Sequence, residues 1–333
     1  MKFLVIQTAF PGDVILASAV VEKLHEFHPT SQIDFLLRKG NESIFDNHPF
    51  LCKLLIWDKK QSKFSEIFRI LNDVRKENYD YVINLNRFAS SGFITAFSGA
   101  NNKIGFDKNP FSFLFTQKLQ HKIGDGTHEV NRNQQLISSI TNSKPSTLKL
   151  YPSENDFQKV LEYKNTKYSC IAPASVWFTK QWSTRKWVEL INLFPAEQNV
   201  YLLGAPSDSK LCEEIKSTVT SSVVGKQIID LSGKLSFLQS GALMKDAIMN
   251  YVNDSAPLHL ASAVNAPVTA VFCSTIPEFG FGPLSDKSFI AQTKENLSCR
   301  PCGLHGKSSC PEKHFKCAES IRAEDVFSFS LNN

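Results

Sequence analysis

Three loops carry side chains whose types and spacing suit chemistry on an anionic ligand. In Ala9-Phe10-Pro11-Gly12-Asp13, Pro11 and Gly12 build a tight turn and Asp13 falls where a helix begins. Such a carboxylate either caps the helix or, projecting into a cleft, takes a proton from a hydroxyl. In Ala174-Ser175-Val176-Trp177-Phe178-Thr179-Lys180-Gln181-Trp182, a lysine stands between two tryptophans. It is either a solvated cation flanked by packing aromatics or a cation set on a diphosphate, offsetting charge on a leaving group. In Asn253-Asp254-Ser255-Ala256-Pro257-Leu258-His259 a strand ends and a helix begins, with its first amides pointing outward. A helix start of this kind binds phosphate through unsatisfied N–H groups. The plainer reading is capping by Asp254 or Ser255, with His259 a packed core residue.

The elements that position these loops follow from hydrophobic periodicity. Strands are expected at 2–7, 33–37 and 79–85 in the first half, with helices at 14–27 and 64–76. Ile15, Ala19, Val20 and Leu24 mark the buried face of the first helix; Phe64, Ile67, Phe68, Leu71 and Val74 mark that of the second. The second half repeats the plan, with strands at 168–174, 199–204, 249–253 and 267–272. Helices are expected there at 184–194, near 207–219, from about Ser236 and at 255–264. Repeated strand–helix alternation predicts an α/β fold: two Rossmann-like domains, 1–155 and 166–333. Residues 152–167, polar and weakly periodic, read as a linker with a short helix.

Composition narrows the function. With 333 residues, 42% hydrophobic and 21% charged, the chain is long enough for two cores. A net charge of +5 favours anionic ligands, but no basic run suggests a nucleic-acid arm. The apolar run at the N-terminus stops at Pro11-Gly12-Asp13, so it reads as a strand rather than a signal peptide. No stretch approaches the roughly 18 apolar residues of a membrane span, so a cytoplasmic protein is expected, with membrane contact at most peripheral. Neither half carries G-x-G-x-x-G after its first strand, which disfavours a nicotinamide dehydrogenase. Gly306-Lys307-Ser308 lacks the upstream glycine and strand of a phosphate-binding loop, and no G-x-S-x-G marks a hydrolase.

Taken together, the three loops resemble those of the ADP-heptose:lipopolysaccharide heptosyltransferases, inverting glycosyltransferases of the GT-B architecture. The matches are Gly12-Asp13, Thr179-Lys180-Gln181-Trp182, Asn253-Asp254-Ser255 with His259, and Ser274-Thr275-Ile276-Pro277-Glu278-Phe279-Gly280-Phe281-Gly282-Pro283. The last looks most like the type II branch, which adds the second core heptose. The resemblance runs in order from residue 1 to about 320, and departs at Ala256, where the family usually has glycine.

The resemblance implies two domains facing across a cleft, with no cofactor required. The second would hold ADP-heptose through Ser175, Thr179, Lys180, Asp254, Ser255, Ala256, His259, Ser274 and Thr275, and Asp208 would reach the ribose. The first would hold an anionic lipopolysaccharide-core precursor through Gly12, Arg38, Arg87 and Ser90, at the inner face of the cytoplasmic membrane. Asp13 would be the base and Lys180 the leaving-group cation. The alternatives are a transferase using another nucleotide sugar and a non-catalytic nucleotide-sugar-binding protein. Cys299, Cys302, Cys310 and Cys317, with His305 and His314 among them, suit either reduced thiols, a disulfide or a structural zinc site.

Overall fold

Residues buried on both faces of a parallel sheet read as continuous apolar runs, and Lys-Phe-Leu-Val-Ile of β1 (Lys2–Ile6) is one. The computed structural model describes residues 1–60, 63–220 and 227–328, with the side chains of residues 63, 64 and 220 outside the described set. It divides into two units, Met1–Tyr151 and Pro152–Asn333.

In the first unit β1 is joined by β2 (Gln32–Arg38), β3 (Lys53–Trp57), β4 (Tyr81–Asn84), β5 (Asn102–Phe106) and β6 (Gln117–Leu119). The order is β3-β2-β1-β4-β5-β6, and every neighbouring pair is parallel. The connecting helices are α1 (Pro11–Phe27), α2 (Lys63–Lys76), α3 (Ala89–Phe97) and α4 (Glu129–Ile137).

The second unit repeats this plan with β7 (Tyr168–Ala172), β8 (Asn199–Leu202), β9 (Ile228–Asp230), β10 (Asn250–Asn253), β11 (Val268–Phe272) and β12 (Ser288–Gln292). Their order is β12-β11-β10-β7-β8-β9, again all parallel. Counted along each half, both sheets have the order third, second, first, fourth, fifth, sixth, the doubly wound Rossmann arrangement. The helices are α5 (Glu154–Lys159), α6 (Thr184–Asn192), α7 (Ser209–Thr220), α8 (Phe237–Lys245), α9 (Ala256–Ala263), α10 (Lys316–Glu319) and α11 (Ala323–Ser328).

Three details differ from the sequence reading. Helix α1 is buried on almost every side from Val14 to Leu24, not along one stripe. The segment that ends the unit crosses over it: Lys149 N donates to Ser18 Oγ at 3.2 Å and Tyr151 Oη to Glu22 Oε1 at 2.8 Å. In α2, Phe68 is 54% exposed while Ile67, Ile70, Leu71 and Val74 are buried. The 152–167 stretch is part of the second unit, where Lys164 Nζ donates to Ala242 O at 2.9 Å. Among the described residues no helix is long and apolar enough to cross a membrane.

Candidate functional site

In a doubly wound sheet the strand order reverses beside the first strand, and ligands settle in the crevice at the carboxyl ends there. That point lies between β1 and β4 in the first unit and between β7 and β10 in the second. The loops ending these strands are residues 7–10, 85–88, 173–183 and 254–255. All three loops singled out in the sequence therefore open onto a switch point.

At the second unit's switch point, Lys180 Nζ lies 2.7 Å from Asp254 Oδ2. Thr275 Oγ1 donates to the same oxygen at 2.6 Å. Asp254 is 6% exposed and Thr275 1%. A carboxylate this deep needs compensation, and here a cation and a hydroxyl supply it. The pair in turn fixes where the ammonium points.

The surrounding loop is held as firmly. Trp182 N donates to Asn253 Oδ1 at 3.0 Å, and Asn253 Nδ2 to Pro173 O at 2.7 Å. Ser274 Oγ donates to Thr179 Oγ1 at 3.0 Å, and Gln181 Nε2 to the carbonyl of half-buried Ser175 at 2.6 Å. Ser255 occupies the cap position of α9, yet its hydroxyl makes no capping bond. Its Oγ instead lies 3.4 Å from the carbonyls of Ala174 and Asn253. With Asp254 committed to Lys180 and Thr275, the plain capping reading describes neither residue. Ala256, half-buried, opens the helix; His259 is 5% exposed, its ring 6.4 Å from that of Phe281. Asp208 stands apart after β8, where its carboxylate accepts Ala205 N–H at 2.8 Å.

At the first unit's switch point Asp13 is the third residue of α1, and its Oδ2 accepts Phe10 N–H at 3.2 Å. This is the reciprocal half of a capping box, formed without a polar cap residue. Gly12 is buried and Asp13 half-buried. Thr8 N donates to Asn86 Oδ1 at 2.8 Å, and Asn86 Nδ2 donates to Gln7 Oε1. Asn109 Nδ2 ties the 85–88 loop down through Asn86 O at 3.1 Å and Phe88 O at 3.0 Å.

Cations gather around this frame. Arg38, at the end of β2, lies over the Phe10 ring at 5.6 Å. Much of Lys59 is exposed, but its ammonium donates to Thr8 O at 2.7 Å and Thr8 Oγ1 at 3.1 Å. Burial there, with the Arg38 charge beside it, pulls the Lys59 pKa down to about 8. Arg87 and Ser90 are half-buried beyond β4. Neither Arg38, Lys59 nor Arg87 forms an ion pair among the described residues, whereas Lys39 is neutralised by Asp58 at 2.8 Å.

The profile of glycosyltransferase family 9 (heptosyltransferase) matches residues 67–313, well over half of the chain. The chain belongs to glycosyltransferase family 9. It is 28% identical over 287 residues to lipopolysaccharide heptosyltransferase 3 of Escherichia coli K12, covering 80% of each chain. It is 26% identical over 290 residues to lipopolysaccharide heptosyltransferase 1 of Campylobacter coli, covering 83% of this chain and 84% of that one. Its fold matches the solved ADP-heptose lps heptosyltransferase II of E. coli, with a TM-score of 0.81 at 20% identity, covering 100% of this chain and 98% of that one.

The family 9 transferase thus places its sequence-predicted residues at two centres. Lys180, Thr179, Asp254, Ser274 and Thr275 form one network, with Ser175, Ser255 and Ala256 on its loops. Asp13, Gly12, Arg38, Arg87 and Ser90 lie on loops at the carboxyl edge of the first sheet. Sequence reasoning missed Asn86, Lys59 and Asn109 in the first unit and the return segment 300–307 in the second. The signal for Asn86 was its place just past a strand's end, matching Asn253 at the end of β10.

In that return segment Lys307 N donates to Thr179 Oγ1 at 2.8 Å, and Thr179 N to Lys307 O at 3.1 Å. Gly306 has φ +80°, and a Cβ there would stand 3.0 Å from both Lys180 Cγ and Thr179 Oγ1. Cys299, Cys302, Cys310 and Cys317 are all free thiols. Cys299 Sγ is 3.9 Å from His314 Nε2, and burial pushes Cys317 up to about 11. Among the described residues no three His, Cys, Asp or Glu side chains are arranged to hold a metal ion.

Proposed function

We propose that this enzyme transfers heptose from ADP-heptose to the inner core of lipopolysaccharide, with inversion at the anomeric carbon. The observation that carries the reading is the Lys180–Asp254–Thr275 trio at the second switch point, 2.7 and 2.6 Å across. A fixed, partly desolvated cation beside a helix start suits a diphosphate leaving group. Lys180 and the Ala256 amide that opens α9 stabilise the departing ADP, a task that other sites give to a divalent cation. Asp208 is placed on the donor ribose. The anionic acceptor lies against Arg38, Arg87 and Ser90, drawn from the inner face of the cytoplasmic membrane.

Asp13 takes the proton of the acceptor hydroxyl as that oxygen attacks the anomeric carbon. Its place in the first turn of α1 favours the ionised form that a base needs. Attack opposite the leaving ADP inverts the configuration.

The test is transfer by the purified enzyme from ADP-heptose to core acceptors carrying zero, one or two heptoses. ADP release matched by a heptosylated product of inverted configuration is expected. The productive acceptor assigns the step to the first, second or third heptose. Transfer from another nucleotide sugar with none from ADP-heptose would overturn the donor assignment.

A further inference from the structure

Residues 273–276 leave the end of β11 beside Asp254, joined to it by the Thr275 hydroxyl. Ser274 is 0% and Thr275 1% exposed, so their main-chain groups need partners within the protein. The carbonyls have them. Arg300 donates from Nε to Cys273 O at 2.8 Å, and from Nη2 to Thr275 O at 2.7 Å and Phe272 O at 3.2 Å. Cys302 N donates to Ser274 O at 2.9 Å. The return segment therefore takes every carbonyl from 272 to 275.

The amides are left differently. Among the described residues no acceptor meets the N–H of Ser274 or Thr275. Buried N–H groups without a partner are rare in folded proteins and call for an explanation. Among the described residues Arg300 itself meets only neutral oxygens, those three carbonyls and Gln292 Oε1 at 2.9 Å. It forms no ion pair among the described residues, and burial lowers its pKa from the ordinary guanidinium value. Successive unmet amides near fixed cations form an anion-binding concavity. Here the neighbouring cation is Lys180, tied to the same turn through Asp254 and, one residue back, through Thr179 and Ser274.

We propose that Arg300 is a positioning residue of the donor site. By gripping the carbonyl side of the 272–275 turn, it presents the Ser274 and Thr275 amides to the diphosphate of a nucleoside diphosphate. This rests on the donor reading given above. The segment's sequence draws the eye to its cysteines, yet the side chain that reaches the site is the arginine between them. Lysine at 300 would keep the charge but not the forked reach to three carbonyls.

Calorimetry on the full chain compares ADP with adenosine. Arg300→Met is expected to weaken ADP about tenfold, roughly 1.4 kcal/mol, and to change adenosine binding less than twofold. Arg300→Lys is expected to behave like Arg300→Met; wild-type ADP affinity in either variant overturns the proposal. Hydrogen exchange on the wild-type protein decides the matter even where a variant fails to fold. ADP and inorganic pyrophosphate, but not adenosine, should slow exchange of the Ser274 and Thr275 amides. ADP binding with those amides unprotected removes the cradle. Protection by pyrophosphate without any ADP binding keeps the cradle and removes the nucleotide donor.

Discussion

The two switch points share one frame and differ in charge. In each, an asparagine at or just past the end of the fourth strand holds the loop that follows the first. Asn86 Oδ1 accepts Thr8 N–H at 2.8 Å, and Asn253 Oδ1 accepts Trp182 N–H at 3.0 Å. The cations are managed oppositely. The second unit closes Lys180 against buried Asp254 at 2.7 Å. The first leaves Arg38, Lys59 and Arg87 without ion pairs among the described residues. A cation already locked to a carboxylate is oriented for one fixed group, which in the proposed function is the donor diphosphate. Unpaired cations on a half-exposed rim keep their long-range field, which suits the large anionic acceptor of the proposed function.

The sharpest way to break this comparison is at the two aspartates that do the same local job. Asp13 accepts the N–H three residues earlier at 3.2 Å, and Asp208 does so at 2.8 Å. Asparagine retains an oxygen for either bond, so both variants should fold. Asp13→Asn is expected to lower kcat by a factor on the order of a hundred or more, ~2.7 kcal/mol in the barrier, with donor affinity kept. Asp208→Asn should raise donor KM and leave kcat in place. Near wild-type turnover in a folded Asp13→Asn enzyme removes the base. A large loss of thermal stability would show that the carboxylate serves only the helix.

The next largest effect is expected at Lys180. Lys180→Ala removes a charge-assisted phosphate contact and leaves Asp254 buried with Thr275 alone. The ratio kcat/KM for the donor should fall by roughly ten- to a hundredfold, about 1.4–2.7 kcal/mol. Lys180→Ala with Asp254→Asn should regain stability over the single variant, because the unpaired charge is gone. Unchanged ADP affinity in Lys180→Ala would break the claim that the locked cation belongs to the donor.

Arg87 tests the other side. Arg87→Ala should raise acceptor KM about five- to tenfold, with ADP affinity unchanged, as expected for one half-exposed charge contact. Added salt should shrink that difference, since rim charges are screened. A donor-only defect would reverse the roles assigned to the two switch points.

The central strands and the loops at their ends were legible in the sequence because they are buried on both faces. KFLVI of β1 and YSCIA of β7 need no context to be read as strands. The edge strands β3, β6, β9 and β12 were not, nor was β5; QKL of β6 is half exposed and carries no apolar run. Asp13, Lys180 and Asp254 were visible as reactive types at strand ends. The pairings were hidden by distance along the chain: Thr275, itself named, lies 21 residues from the Asp254 it bonds, and Lys307 lies 128 from Thr179. Nothing in the sequence marks Lys59, and only the fold brings it to Thr8, 51 residues away.

The comparison between units extends to acid. Two buried histidines of the first unit, His48 and His121, are pulled down to about 4 by burial. An unfolded histidine titrates near 6.5. Between those values the unfolded chain takes up protons that the folded one refuses, so stability is full above about pH 6.5 and falls as the pH drops toward 4. For His48 the loss is roughly 2 kcal/mol at pH 5. The groups facing it are Glu22 at 3.5 Å, His25, whose charge adds to the downward shift, and the rings of Phe45, Phe50 and Tyr151. Burial raises Glu22, which has the opposite sign: it takes a proton in the folded state first and offsets part of the loss at the acid end. Urea unfolding followed by hydrogen exchange should show the first unit losing stability between pH 7 and pH 5. His48→Gln, with no group titrating there, should lose less over the same interval than the wild type. Equal losses in the two proteins would mean that His48 carries its proton in the folded state, and the acid sensitivity would belong elsewhere.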